Sequence, residues 1–140
     1  GNNLDNILKN ILKHFISGEI VNVDYVNNRQ IDLLFKKNNT LFYRETKSNL
    51  DLDSEKSPAT IEKILHIGKC LEEKFQENKV DVGVQNIWFE KENDMKSTLF
   101  SWVKKTPVKI YFMKDFFELA GISITKEKYY NIWKEIGKTL

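Results

Sequence analysis

Residues 30–47 read QIDLLFKKNNTLFYRETK, two apolar runs joined by a polar Lys-Lys-Asn-Asn segment. The runs predict two strands, about Gln30 to Phe35 and Leu41 to Lys47, connected by a tight turn. Strands joined in this way are antiparallel neighbours. We therefore expect the carboxylate of Asp32, on the first strand, to lie beside that of Glu45 on the second.

The charged residues also have predicted faces. Because side chains alternate across a strand, Glu45 and Lys47 share one face of the second strand, about 7 Å apart along the backbone. On the first strand Ile31 and Leu33 share an apolar face, which leaves Asp32 to project from the opposite one. The sequence thus predicts that two carboxylates and one ammonium group meet on one side of a sheet.

Two carboxylates without a nearby imidazole or thiolate suit a hard cation. Mg²⁺ prefers oxygen ligands and keeps several waters that can meet a substrate phosphate. Lys47 would then stand where a metal-activated water attacks phosphorus. This is the layout of a metal-dependent phosphodiesterase site.

The alternative is a hairpin whose exposed face carries ordinary cross-strand charges. The Glu-x-Lys tripeptide is a weak signal by itself, since it recurs at residues 72–74 and 77–79. Those two copies fall in a stretch that predicts a helix, whereas Glu45-Thr46-Lys47 ends a strand and follows a strand that bears an Asp. This context favours the site over the plain hairpin.

The rest of the chain predicts a regular order of helices and strands. The pattern predicts an amphipathic helix from Leu4 to Ile16, with Gly18 at its end, and a first strand from Ile20 to Val26. After the two strands of the hairpin it predicts a helix that starts at Ser57 and Pro58, and then a further strand from Asp81 to Phe89. The last third predicts a short helix or strand, a closing strand and two helices, at Thr98 to Val103, Pro107 to Phe112, Lys114 to Ala120 and Lys126 to Lys138. Gly121 would end the first of these helices and Thr125 would cap the second. The apolar stripe of the last helix, which includes Tyr129 and Trp133, predicts core packing or, if exposed, a dimer face.

Length and composition allow one domain. The 140 residues are 41% hydrophobic and 12% aromatic, enough for one core, and we expect a single domain over residues 1–140. The formal net charge of +2 neither demands nor excludes a nucleic-acid partner. No apolar run is long enough for a membrane span or a signal-peptide core, so we expect a soluble, cytoplasmic protein with no membrane partner.

The only cysteine lies at a spacing that a second metal site could use. Cys70 follows His66 by four residues on a predicted helix, a spacing that could place two zinc ligands on one face. The only other histidine is His14, so no second pair of ligands exists. We expect His66 and Cys70 to be incidental neighbours.

The order helix, three-stranded meander, helix, strand, together with Asp32, Glu45 and Lys47, resembles the PD-(D/E)XK nuclease superfamily over roughly residues 4–89. That family has an αβββαβ core with its active site on the second and third strands. The stretch YRETKSNLDLDSEKS at 43–57 is similar to the catalytic segment of certain type II restriction endonucleases, and Ile31 stands where the family name has Pro. The resemblance implies an α/β protein (an α+β mixed sheet) of the restriction-endonuclease-like type, with additional C-terminal helices.

The resemblance also implies a mechanism. Asp32 and Glu45 would bind Mg²⁺, with Mn²⁺ as a substitute, and the carbonyl of Thr46 would add a backbone ligand. Lys47 would orient the attacking water or stabilise the charge that develops on phosphate. Many members add an acid from the first helix, and Glu19, just after the predicted helix, is the candidate for that position.

A nucleic-acid substrate requires contacts to phosphates. The polar loop after Lys47 would approach the backbone of duplex DNA, and basic or amide side chains near the site are the candidates. These are Asn49, Lys56, Arg29, Arg44, Lys36 and Lys37.

We therefore expect a metal-dependent DNA endonuclease of restriction type, acting as a homodimer so that two sites meet two strands. One alternative is another nuclease of the superfamily, such as a junction resolvase or a repair or transposition subunit. Another is a non-catalytic nucleic-acid-binding or assembly module.

Overall fold

The computed structural model describes residues 10, 14, 19–21, 25–26, 28–47, 56–92 and 98–139. Asn10 and His14 have helical backbone, and the rest of the predicted helix from Leu4 to Ile16 lies outside the described residues. The predicted loop at 48–55 lies outside them as well.

The strands in the described part are β1 (Glu19–Ile20), β2 (Tyr25–Val26), β3 (Arg29–Gln30), β4 (Leu33–Lys37), β5 (Thr40–Lys47), β6 (Lys79–Asn86) and β7 (Lys109–Tyr111). Five of them form one sheet in the order β1, β4, β5, β6, β7, while β2 and β3 pair with each other. β1, β4 and β5 are antiparallel neighbours, whereas β6 is parallel to β5 and β7 is parallel to β6. The predicted α/β class with a mixed sheet, and the antiparallel pairing that should hold the acids, are confirmed.

The helices in the described part are α1 (Lys56–Lys74), α2 (Thr98–Val103), α3 (Met113–Ala120) and α4 (Lys126–Thr139). The segment that the sequence left open between helix and strand is therefore the helix α2. Gly121 ends α3 with φ 74°, and the Thr125 hydroxyl accepts a hydrogen bond from the Lys128 N–H at 3.1 Å, so both predicted end signals are confirmed. Within the described residues, no helix combines the length and apolarity needed to cross a membrane.

Two predicted segments around the hairpin are wrong. The single strand predicted from Ile20 to Val26 is replaced by β1 and β2, which pair in different sheets. The predicted four-residue turn is shorter, because Lys36 and Lys37 still pair with β5 and only Asn38 and Asn39 turn the chain. Asn38 adopts φ 56°, a left-handed conformation that Asn tolerates better than most residues.

The predicted strand from Gln30 to Phe35 is interrupted at its second and third residues. Ile31 lies outside any strand and Asp32 forms a bend before β4 begins. As a result Ile31 packs in the same cluster as Leu34, whereas Leu33 packs on the other side of the sheet. The prediction that Ile31 and Leu33 share a face is wrong, because the bend breaks the alternation.

Apolar side chains fill both sides of the sheet. On the α1 side, apolar residues of the helix pack on those of β4, β5 and β6. The helix contributes Ile64, Ile67 and Leu71, and the strands contribute Leu34, Leu41, Tyr43 and Val84. α1 approaches β6 closely, since a Cβ at Gly68 would lie only 2.8 Å from a methyl group of Val82. The α3 and α4 side contains an aromatic cluster with Tyr129 fully buried, which confirms core packing for the stripe of the last helix.

Candidate active site

The bend at Asp32 places its carboxylate against the backbone of β5. Leu33 pairs with Arg44, so the next pair in the ladder would set Asp32 opposite Glu45. The Thr46 N–H instead donates to Asp32 Oδ2 at 3.0 Å, and the Thr46 hydroxyl donates to the same oxygen at 3.2 Å. A side-chain carboxylate thus takes the place of a main-chain acceptor at the end of the ladder, and it is held there by two hydrogen bonds.

Glu45 is the buried acid of the site, with 5% of its surface exposed. The Tyr43 hydroxyl donates to its Oε2 at 2.6 Å, and Lys63 Nζ donates to its Oε1 at 3.1 Å. Burial raises the pKa of Glu45, and the charge and hydrogen-bonding contact of Asp32 raise it further, against the opposing effects of Tyr43 and Lys63. The two acids that the sequence predicted to be neighbours therefore face each other closely enough to compete for a proton.

Tyr43 contacts Glu45 from the apolar core on the α1 side of the sheet. Its ring is completely buried, and burial together with the charge of Glu45 raises the pKa of its hydroxyl far above the ordinary value of 10.0. The hydroxyl therefore stays protonated at any physiological pH. Its role is to donate a hydrogen bond that fixes one oxygen of Glu45.

Lys63 is a site residue that the sequence did not single out. It lies in α1, its side chain is 29% exposed, and its ammonium group forms an ion pair with Glu45. The available signal was helical spacing, because Lys63 lies between the buried residues Thr60 and Ile67, three and four positions away on one face. A lysine on the sheet side of the helix that follows the two acids is the pattern that would have identified it.

Lys47 lies at the end of β5, on the face that alternation gives to Glu45. Its Cα pairs with that of Asn86 in β6, and the Asn86 side-chain amide donates to the Lys47 carbonyl at 3.1 Å. Asn86 is completely buried, so this contact fixes the backbone from which the Lys47 side chain extends. The sequence did not single out Asn86 either.

The donor set fits a hard divalent cation. A cation between Asp32 and Glu45 would relieve the repulsion that raises the pKa of Glu45. The N–H and C=O of a strand residue point to the same neighbouring strand, so the Thr46 carbonyl is expected to face the Asp32 side. Among the described residues no group of three His, Cys, Asp or Glu side chains is placed to hold a metal. His66 Nε2 and Cys70 Sγ lie 3.8 Å apart. Two carboxylates and a carbonyl suit Mg²⁺, which keeps several water ligands.

Glu19 is placed away from this pair. Its Cα partner in the sheet is Lys36, which lies four residues along the chain from Asp32. At about 3.3 Å per residue, four residues of extended chain separate the Cα atoms of Lys36 and Asp32 by about 13 Å. This placement does not support the prediction that Glu19 adds a third acid.

Arg44 does not face the site, contrary to its predicted role as a phosphate contact. It lies on the opposite face of β5, with its side chain 4% exposed. The guanidinium donates to Asp81 Oδ1 at 2.7 Å and lies 4.0 Å from the centre of the Tyr111 ring. A buried, ion-paired guanidinium is typical of a structural group, so this placement does not support the prediction that Arg44 contacts DNA.

Among the other predicted phosphate contacts, Arg29, Lys36 and Lys37 have partners other than the two acids and Lys47. Arg29 forms an ion pair with Glu62 at 2.8 Å, and Lys37 donates to the carbonyl of Leu119 at the end of α3. Lys36 pairs with Leu41, far from Glu45 along β5. Lys56 is the first residue of α1, and Asn49 lies outside the described residues.

Comparison of this chain with protein-family models, with curated proteins and with solved structures gives no match.

Proposed function

We propose that this protein is a metal-dependent nuclease that hydrolyses phosphodiester bonds in DNA. The observation that carries the proposal is the placement of Asp32, which accepts a hydrogen bond from the Thr46 N–H at 3.0 Å, beside Glu45, an acid that is almost completely buried. Burying like charges side by side is unfavourable unless a cation or a proton compensates them. A divalent cation at this position is the simplest compensation.

The plain hairpin alternative predicts something different. Cross-strand charges that serve only stability are opposite in sign and exposed to water. Here the neighbour of the buried acid Glu45 is a second acid, and Asp32 lies in a bend just before β4 and not in the regular ladder. This departure from regular strand geometry supports a functional role over a structural one.

The chain's own residues have defined tasks in the proposed reaction. Thr46 orients Asp32, while Tyr43 and Lys63 each fix one oxygen of Glu45. Lys47 would stabilise the negative charge that develops on phosphate as the bond to the leaving oxygen breaks. When bound, Mg²⁺ would polarise the phosphate and promote ionisation of the attacking water.

The finer proposal is a nuclease of restriction type. It is supported by the order of the elements around the site: an antiparallel pair that carries the acids, then the crossover helix α1, then the parallel strand β6. A homodimer would present two such sites to the two strands of a duplex. A junction resolvase or a repair nuclease would use the same site on a different substrate.

The direct test is metal binding followed by cleavage. We expect Mn²⁺ to raise the thermal unfolding midpoint of the wild type, because a ligand at 100 times its Kd adds about 2.7 kcal/mol. Asp32→Ala should lose this shift. Glu73→Ala, which removes an exposed acid of α1, is the matched control and should keep it.

Cleavage then identifies the type of nuclease. Plasmid DNA should be cut in Mg²⁺ or Mn²⁺, and discrete fragments would indicate sequence recognition. A smear or a preference for branched DNA would indicate repair or resolution. Absence of cleavage by the wild type on any DNA, with either metal, would contradict the proposal and favour a binding or assembly module.

A further inference from the structure

Trp88 is the exposed large hydrophobic residue of the described part of the chain, with 45% of its surface in water. It follows β6 by two residues, and together with Ile87, Tyr130 and Trp133 it lines a cleft of about 230 Å³. The Trp88 and Tyr130 rings meet edge to face, with centroids 6.2 Å apart. We call these four residues the aromatic cleft.

The backbone beneath the cleft is firmly held although the Trp88 ring is exposed. The Trp88 N–H donates to Asn86 Oδ1 at 2.8 Å, and the Trp88 carbonyl accepts from the Met113 N–H at 2.9 Å. The Phe89 N–H donates to the Tyr130 hydroxyl at 3.2 Å. An exposed aromatic ring on such a fixed backbone is preorganised to bind a flat ligand, because the backbone of the site loses little conformational entropy on binding.

The aromatic cleft adjoins the candidate active site through one side chain. The Asn86 amide donates to the Lys47 carbonyl and accepts from the Trp88 N–H. A single buried amide group therefore joins the backbone of Lys47 to the backbone of Trp88 where β5 and β6 end. A nucleic acid whose backbone passes Lys47 and continues around this end of the sheet would bring a base to Trp88.

We propose that the aromatic cleft binds an unpaired base of the nucleic acid that the active site cleaves. This rests on the proposed nuclease function and gives its substrate class, DNA in which a base next to the cleaved phosphate is unstacked. Every base has a flat face that stacks on aromatic side chains, whereas a paired base inside a duplex has both faces covered.

The charges around the cleft permit this ligand. Glu90 and Glu92 lie just beyond Trp88, and both form ion pairs with Lys126. Their repulsion of phosphate is thereby reduced. Lys91 between them is exposed and adds a positive charge on the same segment.

The test compares two DNA ligands that differ in one unpaired base, a fully matched duplex and the same duplex with a single-base bulge. Binding is measured in EDTA so that the DNA stays intact. Trp88→Ala should weaken binding of the bulged DNA about 10-fold to 100-fold, in line with the loss of one base stacked on an aromatic ring. Binding of the matched duplex should change less than about 2-fold, and Trp88→Phe, which keeps a ring, should restore most of the loss.

A second readout does not depend on cleavage or on total affinity. The bulged DNA should quench part of the tryptophan fluorescence of the wild type, and this part should be absent in Trp88→Phe, which keeps Trp102 and Trp133. A nuclease that cuts but shows no such quenching would overturn the inference and leave the proposed function standing. Quenching without cleavage by the wild type would support the cleft and contradict the nuclease.

Equal weakening of both ligands by Trp88→Ala would also overturn the inference. So would a change from dimer to monomer in sedimentation without selective loss of bulged DNA, because the cleft would then be an interface between two copies of the chain.

Discussion

Strand β5 carries one buried charged side chain on each face, and the two side chains differ in the partners that surround them. Arg44, on the α3 side, is neutralised by Asp81, donates to two main-chain carbonyls and stacks on Tyr111. Glu45, on the α1 side, has Lys63 on one oxygen, yet it also faces the like charge of Asp32. Adjacent residues of one strand are thus equally buried, but only one of them is surrounded by favourable partners.

The comparison shows which buried charges indicate function. A buried ion pair with complete hydrogen bonding is part of the architecture, and removing one partner costs stability. A buried acid held against a second acid lowers stability as it stands and gains from a cation that binds there. Substitutions that change one face at a time should therefore separate activity from stability.

The largest effect is expected at Asp32. Asp32→Ala removes one of the two proposed carboxylate ligands of the metal and should reduce cleavage by at least about 10³-fold, while DNA binding is kept or strengthened because a charge that repels phosphate is gone. Plasmid cleavage and a binding assay on the same protein measure both. Asp81→Ala, the acid on the other face, is the control and should lower stability without changing the rate per folded molecule.

Lys47→Ala should have the next largest effect. Losing one group that stabilises the developing charge typically costs about 10²-fold in rate, or about 3 kcal/mol. The fold should be nearly unchanged, since a lysine head that reaches phosphate is not part of the apolar core. Single-turnover rates and denaturation midpoints test this, with the exposed Lys69 changed to Ala as the control. Undiminished cleavage would place the activity elsewhere.

Arg44→Met should show the opposite pattern. It leaves Asp81 without its partner and removes the stacking on Tyr111, which we expect to lower the free energy of unfolding by about 2 kcal/mol, less than a fully buried pair because Asp81 is 37% exposed. Urea denaturation measures the loss. Cleavage per folded molecule should remain within about 2-fold of the wild type, and a specific loss of activity would contradict the structural role of this face.

The smallest effect concerns pH. Because the folded state raises the pKa of Glu45 above its ordinary value of 4.5, the folded protein holds this proton more tightly than the unfolded chain does. Stability should therefore fall as the pH rises from about 4.5 through the folded-state pKa of the pair. Glu45→Gln should abolish this fall and be more stable than the wild type at neutral pH, as measured by urea denaturation at a series of pH values. A fall that persists in Glu45→Gln would assign it to other groups.

The sequence predicted the acids but not their support. Strand β5 and its alternation are local properties with a period of two, so Glu45, Tyr43 and Lys47 could be assigned to one face from the letters alone. The bend at Asp32 could not be predicted, because QIDLLF contains neither Gly nor Pro. The bend is accompanied by a contact between strands, in which the Asp32 carboxylate accepts a hydrogen bond from the Thr46 N–H. The partner of Arg44 could not be predicted either, since Asp81 lies 37 residues further along the chain.

The supports that the sequence missed, Lys63 and Asn86, have a consequence for how the protein becomes active. The two acids belong to one hairpin, whose closing contact joins residues only 14 apart. The amide that fixes Lys47 comes from 39 residues away, and reaches it only after α1 has crossed over and β6 has joined the sheet. Local contacts form readily and distant parallel pairing forms late, so a chain emerging during synthesis would assemble its pair of acids well before its lysine is fixed. The proposed nuclease activity would then require the parallel half of the sheet to be complete.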